Sequence, residues 1–317
     1  MKIKRIFLIG MFLTALLLVS GGCAASGPAP AQGAGKIVYE MRISDDVSDV
    51  YIINPDGSGK RAITQGTGWS GTPALSPDGT KIAFASDREG EPEIYVVNVD
   101  GSNLTRLTYD RASDFMPAWS PDGKKIAFIS TRIYKAPLSG GSFEIETGME
   151  LYVMDADGSN VQRLSSNMDD QSAYPDWSPD GKNIVFMNIL QIPTINVIAA
   201  DGSARNSRPL FQRNDMAGWT PKWSPDGKYI YFMAESASGA REIYRMDADG
   251  KNTVNLTEKW NPVAVDPSVS PDGKQVVFAS EEGDATNLYI MDVASRQVRQ
   301  LTREPAGASL SRPSWGR

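Results

Sequence analysis

The chain has 317 residues and carries 32 basic against 38 acidic side chains, a net charge of −6, with no basic run to offset it; that balance argues against a phosphate backbone as partner. It contains no histidine, which removes Ser-His-Asp and Cys-His nucleophile systems, histidine zinc sites and a histidine general base. Its single cysteine rules out a disulfide framework within one molecule.

In chain order, Lys2, Lys4 and Arg5 precede an apolar run over residues 6–19. The run is too short to span a bilayer and suits the core of a secretory signal. Ser20-Gly21-Gly22-Cys23 then resembles a bacterial lipoprotein processing site. The resemblance implies a signal peptide over residues 1–22, lipid modification of Cys23 and a membrane anchor through it. Residues 24–35 (AASGPAPAQGAG) offer nothing that packs a core and read as a flexible tether. In a two-membrane bacterium Ala24 after the cysteine favours the periplasmic face of the outer membrane; in a one-membrane bacterium the same signal leads to the cell surface.

From residue 36 the pattern changes to short runs rich in Ile, Val, Phe, Tyr and Trp, separated by Pro/Asp/Gly/Asn turns, which are hairpin signals. Ser-Pro-Asp-Gly recurs at Ser76, Ser120, Ser178, Ser224 and Ser270, at intervals of 44, 58, 46 and 46 residues. A period that long marks a repeated four-stranded unit. One copy predicts strands at residues 117–120, 125–128, 151–154 and 161–164. In the second strand Ile82/Phe84, Ile126/Phe128, Ile184/Phe186, Ile230/Phe232 and Val276/Phe278 alternate, so each pair shares one face of its sheet. Trp119, Trp177, Trp223 and Trp315, with Leu75 and Val269 at the same repeat position, read as wedges between units.

The two ends complement each other. Residues 36–39 match a second strand with no first strand before it, and residues 312–315 match the missing first strand. Circular closure follows, with the C-terminal strand joining the N-terminal blade and leaving no open edge. Pro73, Pro117, Pro175, Pro221, Pro267 and Pro313 count six blades. The expected fold of residues 36–317 is therefore an all-β, six-bladed β-propeller of four-stranded antiparallel blades, monomeric as a ring.

Repeats of the form PxWSPDGxxIxFxS followed by xIYVMDxDGSNxxxLT resemble the TolB-type propeller repeat, a WD40-like family. The resemblance implies a non-catalytic, exported protein of the cell envelope, here without the N-terminal α/β domain of TolB itself. It also implies a protein partner, since TolB-like proteins bind a peptidoglycan-associated lipoprotein through the propeller. Similar repeats occur in peptidase propellers and polysaccharide lyases. No Gly-x-Ser-x-Gly elbow is present, and a lyase-like carbohydrate-active enzyme using carboxylates and Arg at the channel mouth stays open as the alternative.

The residues before each repeat proline differ from blade to blade: Thr72, Met116, Tyr174, Thr220, Asp266 and Arg312. Six-fold closure is expected to gather them around one mouth of the central channel, with Trp69, Asp114, Phe115 and Trp219 nearby, a mixed aromatic and polar rim suited to protein contacts. Loop tips also vary without function. The 58-residue interval holds about a dozen extra residues between Thr131 and Glu150. Tyr134, Phe143 and a Gly140-Gly141 hinge make this insertion a second candidate binding element; the other reading is a tolerated surface excursion. In the fourth blade Asn196 replaces the repeated Tyr, and Ile189, Leu190 and Ile192 form either a contact patch or packing beneath the insertion. The Asp-x-Asp-Gly turns lack calcium-loop spacing, since Asn160 and Ser166 stand sixth and twelfth counting from Asp155. No metal or cofactor is expected.

Overall fold

Each Ser-Pro-Asp-Gly segment closes a tight turn whose hydrogen bonds account for its residue types. In the copy at Ser76, the Gly79 N–H donates to the Ser76 carbonyl at 2.9 Å, and Gly79 sits at φ 70°, a left-handed conformation free of steric cost for glycine. Asp78 Oδ1 accepts the Ser76 hydroxyl at 2.6 Å and the Thr80 N–H at 3.0 Å, while Ser76 Oγ accepts the Lys81 N–H at 2.9 Å. The same three side-chain bonds recur at Ser120, Ser178, Ser224 and Ser270. These donors hold the carboxyls of Asp78, Asp122, Asp180 and Asp226 below the usual range, the serine hydroxyl contributing most.

A computed structural model describes residues 35–316 apart from residues 67, 133, 138–142, 147, 166–170, 190, 205 and 261; the side chains of residues 134–137, 143–146 and 282 also lie outside the described set. Within it the chain forms six four-stranded antiparallel sheets and one two-stranded hairpin. The first blade is ordered Ser309–Gly316, Lys36–Ser44, Val47–Ile53, Arg61–Ala62. The other five begin with the inner strands Ser70–Leu75, Asp114–Trp119, Ser172–Trp177, Met216–Trp223 and Ala264–Val269. This is the six-bladed propeller expected from the repeat.

The core is divided into six apolar clusters, one between each pair of adjacent blades. In the second blade Ile82 and Phe84 pack towards the first blade, whereas Ala83 and Ala85 pack towards the third. Large residues on one face meet small ones on the next, so the blades nest. Leu75, Trp119, Trp177, Trp223, Val269 and Trp315 each wedge into a different cluster. The Trp119 and Trp177 indoles also donate to the Ala74 and Ala118 carbonyls of the preceding blade, at 3.2 and 3.1 Å.

Closure is made by Ser309–Gly316 lying antiparallel to Lys36–Ser44, with Ile37 opposite Trp315 and Met41 opposite Leu310. Ile37 and Leu310 are fully buried. The closing strand also binds both neighbours: Trp315 N–H donates to Ser268 Oγ at 2.9 Å, and Ser314 Oγ accepts the Leu75 N–H at 3.3 Å. On the outside, Arg299 of the sixth blade donates to the Pro55 carbonyl of the first at 2.7 Å, and Lys60 pairs with Glu304.

A clamp not anticipated from the strand pattern ties the third strand of five blades to the chain leaving the fourth. Thr64, Thr108, Ser165, Thr257 and Thr302 accept the N–H of Val50, Ile94, Leu151, Ile243 and Leu288 at 2.9 to 3.0 Å. In four of them the hydroxyl in turn meets Asp49, Glu93, Glu150 or Asn287. In the irregular fourth blade, Thr194 donates to Asn196 and Asn196 to Ser207, at 2.9 and 2.8 Å.

Candidate functional site

The inner strand of every blade carries a β-bulge at the residue before the repeat proline. Strand register breaks between Gly71 and Ala74, Phe115 and Ala118, Ala173 and Asp176, Trp219 and Lys222, and Val265 and Ser268, and at the matching place opposite Val38 and Glu40. The unpaired bulge removes the need for a ladder donor, which is why proline is accommodated there. Thr72, Met116, Tyr174, Thr220, Asp266 and Arg312 all adopt positive φ, between 45° and 56°. For residues with a Cβ this conformation costs on the order of 1–2 kcal/mol each, and such strain gathers where a function needs it.

These six side chains line a single cavity of about 460 Å³ on the propeller axis, together with five prolines of the Ser-Pro-Asp-Gly turns. Backbone N–H groups of the ring reach round to the preceding blade. Met116 N–H donates to Thr72 Oγ1 at 3.2 Å, Tyr174 N–H to Met116 Sδ at 3.3 Å, and Arg312 N–H to Asp266 Oδ2 at 3.1 Å. At Thr72 the acceptor is Glu40 Oε2, at 3.2 Å.

Arg312 and Tyr174 belong to the first and fourth blades, which face each other across a six-membered ring. The guanidinium nevertheless lies 5.2 Å from the centre of the tyrosine ring, so this cation–π pair bars the channel from side to side. Arg312 Nε lies 3.8 Å from Glu40 Oε2. Burial pushes the Tyr174 hydroxyl above its ordinary range, Asp266 and Glu40 add to the rise, and Arg312 opposes it. Further towards the turns, Lys222 Nζ meets Asp176 Oδ1 at 3.2 Å, and Asp176 Oδ2 accepts the Trp223 N–H at 2.8 Å.

The other sequence candidates lie elsewhere. Trp69 donates its indole N–H to Glu40 Oε1 at 2.9 Å and packs against the cluster between the second and third blades. Asp114 is fully buried, ion-paired with Arg132 at 2.5 Å, and its carboxyl is pushed up by burial. Phe115 and Trp219 pack between blades. None of the four lines the cavity. Tyr134 and Phe143 stand opposite Glu146 and Pro137 in the hairpin Tyr134–Pro137 and Phe143–Glu146; their side chains, like Cys23 and Leu190, lie outside the described residues. Ile189 is half-buried and Ile192 is exposed.

The hairpin joins the second and third strands of its blade, whereas the Ser-Pro-Asp-Gly turns join the first and second. In an up-and-down blade these connections fall on opposite faces. The hairpin therefore rises from one face, and the cavity runs from the Arg312–Tyr174 bar towards the other.

Sequence reasoning missed Glu40, which occupies the repeat position held by Ala85, Ile129, Met187, Met233 and Ala279. It fits because the residue beside it is Gly71: a Cβ there would lie 2.2 Å from Glu40 Oε2. The signal was one charged residue in an otherwise apolar repeat column. Among the described residues no group of three or more His, Cys, Asp or Glu side chains is arranged to hold a metal ion.

A closed ring of nested blades, strained at six points around an axial cavity, defines a β-propeller binding scaffold. The chain belongs to the TolB beta propeller domain family, whose model matches residues 24–145 and 139–316. A stretch of 59 residues is 39% identical to the TolB homolog of Chlorobium luteolum (strain DSM 273 / BCRC 81028 / 2530), covering 19% of this chain and 13% of that protein. The fold superposes on TolB from Acinetobacter baumannii with a TM-score of 0.73 at 24% identity, over 89% of this chain and 66% of that one. It also superposes on an oligogalacturonate lyase from Vibrio parahaemolyticus, with a TM-score of 0.56 at 14% identity, over 81% of this chain and 71% of the lyase. The chain thus spans less than two thirds of the first two relatives.

Proposed function

We propose that this chain is a non-catalytic cell-envelope lipoprotein whose propeller binds another envelope protein through the axial cavity. The single observation that carries the reading is the ring at Thr72, Met116, Tyr174, Thr220, Asp266 and Arg312: six positions with one strained backbone conformation and six side-chain environments, lining one cavity. Shared strain supplies the scaffold, and differing side chains supply selectivity. Membership of the TolB propeller family supports a partner of the peptidoglycan-associated lipoprotein class, and the charged start, apolar run and Cys23 support export with a lipid anchor. Residues 1–22 are read as the signal, 23–35 as the lipidated tether and 36–317 as the monomeric ring. The hairpin carrying Tyr134 and Phe143 is read as a second contact on the opposite face.

The lyase alternative called for Asp114, Asp266 and Arg312 to converge. Asp266 and Arg312 share the cavity, whereas Asp114 is committed to Arg132 between strands.

The test is affinity capture from crosslinked envelopes with wild type, with Thr220→Trp, which fills the cavity, and with residues 133–147 deleted. Partner recovery is expected to fall for Thr220→Trp. Equal recovery from wild type and Thr220→Trp removes the cavity from the binding site.

A further inference from the structure

The six seams between blades are not equally tied. Arg61 and Arg299, opposite Ile52 and Ile290 at one repeat position of the outer strand, each donate to a carbonyl in the outer turn of the next blade, at Val99 and Pro55. Arg208 holds that position in the fourth blade, opposite Val197, and the matching turn residue of the fifth blade is Ala248. Among the described residues no group accepts a hydrogen bond from Arg208 or pairs with it. The inner tether of this seam is unmade as well. The Trp119 and Trp177 indoles donate to the preceding blade, whereas the Trp223 indole N–H is buried without a partner. Arg208, Ala248 and Trp223 instead border a pocket of about 290 Å³ between the fourth and fifth blades, which shares only Trp223 with the axial cavity. Its size is close to the small end of ligand sites.

One substitution opens this pocket and gives it a sign. The residue that starts the turn between the third and fourth strands is Asn54, Asn98, Asp155, Asp247 or Asp292 in five blades and Ala199 in the fourth. In the third blade Asp155 neutralises Lys125 across the paired strands at 2.8 Å; in the fourth, Ala199 faces Asn183. Ala199 therefore removes both the bulk and the acceptor that this place carries elsewhere. The lining holds one cation, Arg208, two amides, Asn183 and Asn206, and no carboxylate. Asp180, Asp201 and Asp247 are close in sequence but lie outside the lining, where they accept from Ser178, Ser203 and Asn252. Val197, Ile198, Ala204 and Trp223 make the rest of the wall apolar, and Asn206 and Arg208 are exposed, so the pocket opens directly to solvent.

We infer that this seam binds a small organic carboxylate, its anionic head on Arg208 and the two amides and its short aliphatic stem against Val197, Ile198 and Trp223. A guanidinium presents paired donors in the geometry a carboxylate accepts. One cation without a second base matches a single negative charge, and the apolar wall leaves the further oxygens of a phosphate without donors. The Trp223 N–H is closed off from the pocket and is no ligand contact; it marks the slack seam. The site does not depend on the axial cavity being a partner site.

The probe is butyrate, compared with butyramide, n-butylamine and inorganic phosphate, each titrated against the full mature chain labelled with ¹⁵N-tryptophan. Trp223 lines the pocket, and its indole resonance, identified by its loss in Trp223→Phe, is the reporter. Butyrate is expected to shift it saturably and to bind about ten-fold more tightly than butyramide or n-butylamine. Arg208→Gln and Ala199→Asp, the second restoring the acid that other blades carry, are checked for an unchanged unfolding temperature. Each is expected to weaken butyrate about ten-fold or more, whereas Arg61→Gln, at a seam that is tied, is expected to leave it unchanged. No saturable shift with butyrate, equal binding of n-butylamine, or full butyrate affinity in Arg208→Gln or Ala199→Asp overturns the inference. Phosphate binding as tightly as butyrate overturns the choice of a carboxylate.

Discussion

The two ends of each inner strand use the repeat in opposite ways. At the Ser-Pro-Asp-Gly end, five copies share both residue types and hydrogen bonds, and each turn satisfies itself internally. At the bulge end the backbone is equally uniform, with φ between 45° and 56° in all six blades, yet no two neighbouring blades present the same side chain. A turn that closes on itself needs one fixed sequence and leaves no choice. A bulge held in shape by the following proline and the sheet around it tolerates any side chain, so variation there changes what the axis presents without altering the ring.

If that division holds, damage to repeated features should reduce stability and damage to the ring should reduce binding. The largest effect is expected from deleting residues 309–317, which removes the inner strand of the first blade and exposes Ile37, fully buried beneath it. Several large apolar residues would each lose about 1.5–3 kcal/mol of burial, so soluble, cooperatively unfolding protein should not be recovered; unchanged thermal unfolding would refute closure by that strand. Next, Gly71→Ala forces a Cβ against Glu40 and should destabilise by about 1–3 kcal/mol. Adding Glu40→Ala should return part of that loss, with a coupling of about 0.5–3 kcal/mol in denaturant unfolding; additive effects would show that the two positions are independent. The smallest is Ser76→Ala, costing about 1 kcal/mol near neutral pH through lost turn hydrogen bonds. The Asp78 carboxyl lies below its ordinary value in the folded chain because Ser76 and Thr80 donate to it. Its stabilisation is therefore present above the unfolded carboxylate pKa and is lost as pH falls through the lowered folded value. Wild type and variant should thus converge in acid unfolding curves, and a gap that widens on acidification would contradict the assignment.

The ring's location was legible because it is a matter of period. Six prolines at one repeat position, with closure supplied by the final Trp-bearing strand, are enough to bring Thr72, Met116, Tyr174, Thr220, Asp266 and Arg312 together. What each neighbour does was not legible in the same way. Phe115 adjoins Met116 in sequence, but side chains alternate along a strand, which turns it into the space between blades; Trp69 and Trp219 likewise pack between blades, and Asp114 is paired with Arg132 of its own blade. The Arg312–Tyr174 bar depends on two long side chains meeting across the axis, a distance the period does not contain. The outer clamps went unread because Thr108 and Glu93 lie fifteen residues apart, and only the pairing of the third and fourth strands makes them neighbours. Glu40 was overlooked for the opposite reason: it was judged by its strand rather than against its column.

The seam between first and last strands also fixes where the two ends of the ring lie. Lys36 is paired with Gly316, and Gly35 lies against Gly316 and the Pro271 ring, one of the prolines that frame the cavity. The first and last described residues of the ring therefore sit at the lip of the opening itself, on the face away from the Tyr134–Pro137 hairpin.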